Sequence, residues 1–147
     1  MKNYILLFFA CVFLLTGCDG YNRRQYVVRP FSLEDQKIAL AVLSDMARAP
    51  ALAEALLEEV SLPTNTPNYF AYYERNRKDG GFSLWIDARI HGEDMVIELH
   101  NFPNFTPPPA YNSVDAWLSR ELSETFGERL TIDPKPAIPY PKKKAGK

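Results

Sequence analysis

The sequence has only two cysteines, Cys11 and Cys18, and neither belongs to a spaced set of metal-ligating residues. Neither a disulfide framework nor a cysteine-based zinc site is therefore indicated. The formal net charge is −1, whereas nucleic-acid-binding proteins are usually strongly basic, so no nucleic-acid partner is predicted. The sequence also lacks a Gly-rich phosphate-binding loop and the Gly-x-Ser-x-Gly motif of serine hydrolases. We accordingly predict no cofactor and no metal ion.

The apolar run near the N-terminus is short for a permanent membrane-spanning helix. Residues 4–15 form this run of 12, whereas a helix needs about 20 apolar residues to cross the hydrocarbon core. One positive charge, on Lys2, precedes the run, and the small residues Thr16 and Gly17 follow it. This order is typical of an export signal, whose apolar region has about 7–15 residues.

Residues 15–18 read Leu-Thr-Gly-Cys and resemble the lipobox of bacterial lipoproteins, in which a Leu and two small residues precede a Cys. The resemblance covers about 18 of the 147 residues. It implies cleavage before Cys18, a diacylglycerol on its sulfur, and acylation, for example with palmitate, of the new amino terminus. More than one acyl chain makes anchoring stable, because each buried CH₂ contributes about 0.8 kcal/mol. The alternatives are an ordinary signal peptide and a short anchor that happens to contain Cys.

Asp19 follows the predicted lipid site directly. In enteric lipoproteins an Asp at this place resembles a retention signal for the inner membrane, so the resemblance implies an inner-membrane anchor facing the periplasm. The outer membrane stays open because this rule differs among bacteria, and Asp19 is otherwise an ordinary polar linker residue. The predicted organisation has a signal peptide (1–17), a lipidated Cys with a tether (18–30), a domain (31–133) and a tail (134–147). Within the tether, residues 25–28 are alternatively a short edge strand.

Helical periodicity extends from residue 33 to residue 60. Ser32 is a candidate N-cap, and the acidic Glu34 and Asp35 favour the first turn of a helix. Apolar residues recur at helical spacing both before and after Pro50, which suits the first position of a second helix. The segment therefore predicts two consecutive helices or one helix kinked at Pro50.

The pattern then changes to a period of two, which predicts three antiparallel strands at residues 69–75, 82–90 and 94–100. A two-residue turn at His91-Gly92 joins the last two strands. The register that this turn sets places the apolar residues of both strands on one face of the sheet and the polar residues on the other. The polar face is predicted to be at least partly exposed to water. The predicted cross-strand pairs are Ile90–Glu93, Arg89–Asp94, Ala88–Met95, Ile86–Ile97, Leu84–Leu99, Trp85–Glu98 and Ser83–His100.

The C-terminal part begins with a Pro-rich loop at residues 101–112. A helix follows, capped by Asn112 or Ser113 and ending before Gly127, and residues 129–132 predict a further short strand. The tail is rich in Pro and Lys and is predicted to be disordered or polyproline-like. The fold class is α+β: a two-layer domain with a three-stranded antiparallel meander, two N-terminal helices, one C-terminal helix and a possible extra strand.

Two functional hypotheses concern the polar face of the hairpin. Ser83, His100 and Glu98 suggest a small hydrolase, but no nucleophile elbow or oxyanion loop adjoins Ser83. The other histidine, His91, lies about 30 Å from His100 along one strand, so the two cannot share a site. The sequence instead favours a binding surface, whose candidate residues are Trp85, Glu98, His100 and Phe102, with tyrosines from residues 69–73 as further candidates.

Charge is unevenly distributed along the mature chain. Residues 18–134 contain 11 Lys/Arg and 18 Asp/Glu, a difference of −7, whereas residues 135–147 contain five Lys and no acid. A basic tail suggests contact with lipid headgroups or a cell-wall polymer, although it is alternatively a solvated segment. The predicted function is a non-enzymatic binding or adaptor lipoprotein of the cell envelope with a protein or polymer partner. An immunity or inhibitor lipoprotein against a basic toxin or envelope enzyme is an alternative, as is the hydrolase.

Overall fold

The computed structural model describes residues 22–62, 67–76, 83–102 and 108–133, which form an α+β domain. Its sheet is antiparallel and six-stranded, in the order β2-β3-β4-β5-β1-β6. The elements are β1 (Asn22–Val28), α1 (Leu33–Arg48), a 3₁₀ helix (Pro50–Ala55), β2 (Leu57–Glu59), β3 (Tyr69–Arg75), β4 (Ser83–His91), β5 (Asp94–Phe102), α2 (Pro109–Phe126), a 3₁₀ turn (Gly127–Arg129) and β6 (Leu130–Asp133). The α+β class is confirmed, but the predicted three-stranded meander understates the sheet.

The hydrophobic core lies between one face of the sheet and the helices. Alternate residues of β4 and β5 are fully buried there because side chains of a strand point to its two faces in turn. Each α-helix contributes a stripe at the spacing of three to four residues. These core residues are Leu84, Ile86, Ala88, Met95, Ile97 and Leu99 from the strands, and Ala39, Leu43, Met46, Val114, Leu118 and Leu122 from the helices.

Helix α1 begins at the predicted N-cap. The Oγ of Ser32 accepts a hydrogen bond from the backbone N–H of Asp35 at 3.2 Å. The carboxylate of Asp35 accepts one in return from the backbone N–H of Ser32 at 2.7 Å. This reciprocal pair satisfies two donors that the helix start would otherwise leave open. Asp35 also pairs with Arg129 at 2.8 Å, which ties α1 to the chain just before β6.

The predicted second helix is wrong in type and extent. Pro50 does begin a helical segment, but it is a six-residue 3₁₀ helix that ends at Ala55. Leu56 follows with a φ of 53°, a left-handed conformation that stops a helix. The next residues form the edge strand β2, which pairs with β3. A local apolar period could not reveal this, because β2 depends on a partner more than ten residues away.

Residues 22–28 are not part of a tether. They form β1, which pairs with β5 over seven positions on one side and with β6 on the other. The alternative of a strand is thus correct, although the strand lies inside the sheet and not at its edge. Tyr26 and Val28 are fully buried, and the Tyr26 hydroxyl donates to Asp115 of α2, so burial holds this segment in the sheet. Between Cys18 and β1 the sequence leaves only residues 19–21.

The β4–β5 hairpin is confirmed, but its predicted register is wrong by two residues. The turn residues are Gly92 and Glu93, and Gly92 has a φ of 61°. A type II′ turn takes Gly at this first central position. A shift by two keeps each side chain on its predicted face, so the alternation could not distinguish the two registers. The observed pairs include Ile90–Met95, Arg89–Val96, Ala88–Ile97, Asp87–Glu98, Ile86–Leu99, Trp85–His100, Leu84–Asn101 and Ser83–Phe102.

The last helix begins earlier than the sequence predicts. Its first residue is Pro109, a position where a proline loses no hydrogen bond. Asn112 and Ser113 therefore lie inside the helix, and neither is its cap. The predicted loop at 101–112 is therefore too long. Gly127 ends the helix with a φ of 56°, and the predicted short strand is confirmed as β6. The predicted signal peptide, Cys18, Asp19 and the tail lie outside the described residues.

None of the helices in the described part of the chain is long and apolar enough to cross a membrane.

Candidate functional site

The face of the sheet opposite α1 and α2 carries the candidate site, and we call it the helix-free face because no helix of the described residues covers it. The sequence predicts that this face is at least partly wet. The 42% exposed side chain of Arg23 and the 50% exposed Phe102 agree with this prediction, but Asp87, Glu98 and His100 are buried, with exposed fractions of only 7%, 4% and 7%. Their polar atoms hydrogen-bond to one another and to Arg89, Arg23 and Gln25.

Asp87, Glu98 and His100 form a compact group that we call the polar cluster. Nη1 of Arg89 donates to Oδ1 of Asp87 and to Oε2 of Glu98, both at 2.7 Å. Nε2 of His100 lies 3.0 Å from Oδ2 of Asp87 and 3.5 Å from Oε2 of Glu98. From β1, Arg23 donates to Glu98 through Nε at 2.9 Å, and the Gln25 amide donates to the same oxygen. The cluster therefore joins three adjacent strands.

Burial and hydrogen bonding oppose each other in the pKa of both Glu98 and His100. Burial raises the pKa of Glu98, but the hydrogen bonds from His100, Arg89, Gln25 and Arg23 outweigh it and hold the pKa far below its usual range. Burial lowers the pKa of His100, but the hydrogen bonds with Asp87 and Glu98 outweigh it and raise the pKa above 6.5. The cluster is thus held together best with an ionised Glu98 and a protonated His100.

The raised pKa of His100 predicts a decline in stability with rising pH. A proton bound more tightly in the folded state stabilises it fully below the unfolded pKa of about 6.5, and that contribution is lost as pH rises through the folded value. We expect the free energy of unfolding, measured with urea, to fall with pH above about 6.5. His100→Asn should abolish this slope, whereas His91→Asn at the exposed end of β4 should retain it. A slope unchanged in His100→Asn would contradict this origin.

The polar cluster has the side chains of a metal site but not the charge balance of one. One ligand atom each from Asp87, Glu98 and His100 lies within 4.8 Å of the others. However, Nη1 of Arg89 already bridges the two carboxylates, and Arg23 brings a second guanidinium to Glu98. A divalent cation would have to displace a charge-assisted hydrogen bond and lie beside two positive groups. The arrangement is better suited to an ion-pair network than to metal binding.

The predicted hydrolase trio is only partly brought together. Glu98 and His100 are neighbours, but Ser83 lies opposite Phe102, because the true register differs from the predicted one by two residues. Trp85 occupies the position opposite His100, and the two rings stack with centroids 4.8 Å apart and planes 7° apart. His100 is therefore held between Trp85 and Asp87. The sequence analysis missed Asp87 and Arg89 as site residues, although both share the alternation that places Trp85 on this face.

A cavity of about 470 Å³ opens beside the polar cluster, and we call it the aromatic cavity. Its walls are Tyr69, Tyr72 and Trp85, with the carboxyl-bearing Asp87 in its lining and residues 60–62 along one side. Val60 is held against β3 by a hydrogen bond from its N–H to the carbonyl of Tyr72 at 3.0 Å. Phe102, which is 50% exposed, does not line the cavity. Of the predicted surface, Trp85 and two of the tyrosines from residues 69–73 line the cavity, whereas Glu98 and His100 do not.

A β-bulge explains why two tyrosines share this cavity. Residues three apart in a regular strand point to opposite faces, but the register of β3 shifts between Tyr69 and Ala71. Tyr69 consequently pairs with Arg89, and Tyr72 with Asp87, on the same face of the sheet. The alternation of the sequence alone could not place these rings, because an irregular strand changes which residues share a face.

Charged groups of both signs border the aromatic cavity. The guanidinium of Arg89 already lies over the ring of Tyr69, 5.6 Å from its centroid. Burial raises the pKa of Tyr72, and the nearby carboxylates of Glu74 and Asp87 raise it further. Aromatic faces attract cations within about 6 Å, and desolvation strengthens the attraction.

No protein family matches the chain, and neither the curated proteins nor the solved structures gave a match. The proposed function therefore rests on the sequence and on the geometry described above.

Proposed function

We propose that this chain is a lipid-anchored lipoprotein of the bacterial cell envelope that binds a basic segment of a partner protein through its aromatic cavity. The observation that carries the proposal is the convergence of Tyr69, Tyr72 and Trp85 with a carboxyl-bearing residue around one open cavity. Aromatic faces with an adjacent carboxylate are a recurrent way to hold a Lys or Arg side chain. The occupant is accordingly a cationic side chain presented by another protein.

Three features support a basic partner. The guanidinium of Arg89 already lies over Tyr69, which leaves Tyr72 and Trp85 as the rings for an incoming cation. Burial raises the pKa of Tyr72, and the carboxylates of Glu74 and Asp87 raise it further, so two acidic groups lie close to this ring. The mature chain up to residue 134 carries 18 acidic and 11 basic residues, a difference of −7 that steers a basic partner towards it.

The envelope location rests on the sequence around Cys18. Four residue steps separate Cys18 from Asn22, the first residue of β1, and span at most about 14 Å when fully extended. A lipid on Cys18 would therefore hold the N-terminal end of β1 close to the bilayer. The helix-free face would stand beside the membrane, where it is accessible to a partner in the periplasm.

The polar cluster supports a binding role over a catalytic one. Both carboxylates and the imidazole are engaged by hydrogen bonds within the fold, and the imidazole is stacked on Trp85. Ser83, the nucleophile of the hydrolase hypothesis, lies opposite Phe102 and not opposite His100. We assign the cluster the role of a rigid support that fixes the orientation of Trp85.

A pair of peptides tests the cavity. One carries a single Arg between neutral residues, and the other carries the uncharged analogue citrulline in its place. We expect the Arg peptide to change the fluorescence of Trp85 at concentrations where the citrulline peptide does not, because only a cation gains from the ring faces and the carboxylates. A Trp117→Phe background removes the signal of the other tryptophan. Tyr72→Ala should weaken binding roughly 2- to 30-fold, the equivalent of about 0.5–2 kcal/mol.

Phe102→Ala is the matched control, because Phe102 is an exposed aromatic residue of the same sheet that does not line the cavity. It should bind the Arg peptide like the parent chain, and circular dichroism should show that both variants are folded. Equal binding of the two peptides, or equal losses in Tyr72→Ala and Phe102→Ala, would contradict recognition of a cation by the cavity.

A further inference from the structure

The walls of the aromatic cavity are mostly rings and aliphatic side chains. Its volume of about 470 Å³ lies within the range of about 300–1,000 Å³ that is usual for small-molecule sites. Five of its seven lining residues are aromatic or aliphatic, namely Val60, Leu62, Tyr69, Tyr72 and Trp85. The cavity can therefore hold a whole side chain or a small molecule, and its lining favours a ligand with apolar surface.

Two ring faces of the cavity are open to such a ligand. The guanidinium of Arg89 lies over Tyr69, 5.6 Å from the ring centroid. His100 of β5 stacks on one face of the Trp85 indole, with the centroids 4.8 Å apart. Because β3 and β5 flank β4 on opposite sides, the other indole face is turned towards β3, which carries Tyr72. A ligand in the cavity thus meets the rings of Tyr72 and Trp85.

Asp87 gives the cavity a negative charge but few open acceptor sites. Its Oδ1 accepts a hydrogen bond from Arg89 at 2.7 Å, and its Oδ2 lies 3.0 Å from Nε2 of His100. Asp87 is only 7% exposed, so both oxygens already have partners inside the fold. Glu74, which lies opposite Trp85, brings a second, exposed carboxylate to the same face. The cavity therefore acts on a ligand through charge and ring faces more than through hydrogen bonds.

This lining discriminates between two kinds of cation. A lysine ammonium carries three N–H donors and is strongly hydrated, so entry among rings would leave donors without acceptors, which is unfavourable. A trimethylammonium group has no N–H donor and spreads its charge over methyl groups that can contact ring faces directly. Aromatic cages are a recurrent way to bind quaternary ammonium groups.

We propose that the aromatic cavity binds a trimethylammonium group, whose methyl groups contact Tyr72 and Trp85 and whose charge is balanced by Asp87. This inference rests on the proposed function and specifies the cation that the cavity takes. Two sources can supply the same chemistry: a methylated lysine of the partner protein, or a free quaternary ammonium compound such as choline.

Choline and dimethylbutanol form a matched pair of probes, because a neutral carbon replaces the quaternary nitrogen in the second. Their binding to the full chain in the Trp117→Phe background is followed by the fluorescence of Trp85. We expect choline to bind roughly 2- to 30-fold more tightly than dimethylbutanol, because only the cation is attracted by the ring faces and Asp87. Equal affinities would overturn the proposal, since shape and apolar contact alone would then explain the binding.

Tyr72→Phe and Tyr72→Leu separate the ring face from the hydroxyl and from apolar bulk. Tyr72→Phe should keep the preference for choline. Tyr72→Leu should lose most of it while still binding dimethylbutanol, and Phe102→Ala should behave like the parent chain. A preference for choline that is unchanged in a folded Tyr72→Leu variant would overturn the role of the ring. The comparison of the two probes on the parent chain needs no variant, so it holds even if circular dichroism shows Tyr72→Leu to be unfolded.

Two peptides that differ only in lysine methylation distinguish the sources. The trimethyllysine peptide should bind at least roughly fivefold more tightly than the lysine peptide, because no N–H donor loses its hydration. A trimethyllysine peptide that binds more tightly than choline supports a partner protein, whereas equal affinity supports a free small molecule. If the Arg peptide binds but choline and trimethyllysine do not, this inference fails and the proposed function stands. If no cation binds, both fail.

Discussion

Glu98→Ala is expected to lower the free energy of unfolding by about 3–5 kcal/mol, the typical cost of removing one partner of a buried ion pair. Glu98 is 4% exposed and accepts hydrogen bonds from Arg89, Arg23 and Gln25. Without its carboxylate, the buried part of Arg89 loses one of its two carboxylate partners, and His100 loses a group that favours its protonation. Urea unfolding at pH 6 measures the effect, and Trp fluorescence follows it.

Glu54→Ala provides the matched control, because Glu54 is an exposed residue of the 3₁₀ helix. It should change the free energy of unfolding by no more than about 0.5 kcal/mol. Glu98→Gln should fall between the two variants, since the amide keeps the shape and part of the hydrogen bonding but not the charge. If Glu98→Ala unfolded at the same urea concentration as Glu54→Ala, the polar cluster would not contribute to stability as described.

Cys18→Ser is expected to abolish lipid attachment completely, because the thioether that the lipobox resemblance implies requires a sulfur. Cells fed radiolabelled palmitate should label the parent protein and not the variant. Normal processing of the variant is not expected, since the resemblance places the cleavage directly before Cys18. Each buried CH₂ of the lipid contributes about 0.8 kcal/mol to membrane binding, so losing whole acyl chains should greatly lower the membrane affinity.

Cys11→Ser is the matched control for this experiment. It removes the other cysteine of the chain, which the proposal places in the signal peptide, so labelling and processing should be unchanged. Normal processing of Cys18→Ser together with sedimentation in the membrane fraction would contradict the lipid anchor. The peptide-binding assay of the aromatic cavity is independent of this result, because it uses the domain in solution.

Much of the local structure could be predicted from local patterns. The capping pair of Ser32 and Asp35, the faces of β4 and β5 and the helical stripe ending at Phe126 each depend on residues within a few positions of one another. Such patterns are visible in sequence because side-chain direction repeats every two residues in a strand and about every 3.6 in a helix. The same reasoning correctly placed Trp85, Glu98 and His100 on one face.

The wrong predictions concern segments whose structure depends on contacts with residues distant in the sequence. β1 reads as a polar tether because three arginines lie in or beside it, yet Arg24 is neutralised by Asp115 of α2, and the Tyr26 ring fills the core. β2 follows an apolar helical pattern, yet its three residues pair with β3. In both cases the energy comes from a partner more than ten residues away, and a local pattern contains no information about that partner.

The sequence by itself determined the α+β class and the two faces of the β4–β5 hairpin. It also contains the motif at Cys18 on which the proposed location in the cell envelope rests. Only the tertiary structure decided the register that places Trp85 on His100, the bulge that turns Tyr69 and Tyr72 to one face, and the place of β1 inside the sheet. The reason is physical. Residue periodicity repeats within one element, whereas register and bulges are chosen by burial and hydrogen bonding between elements that meet only in the folded chain.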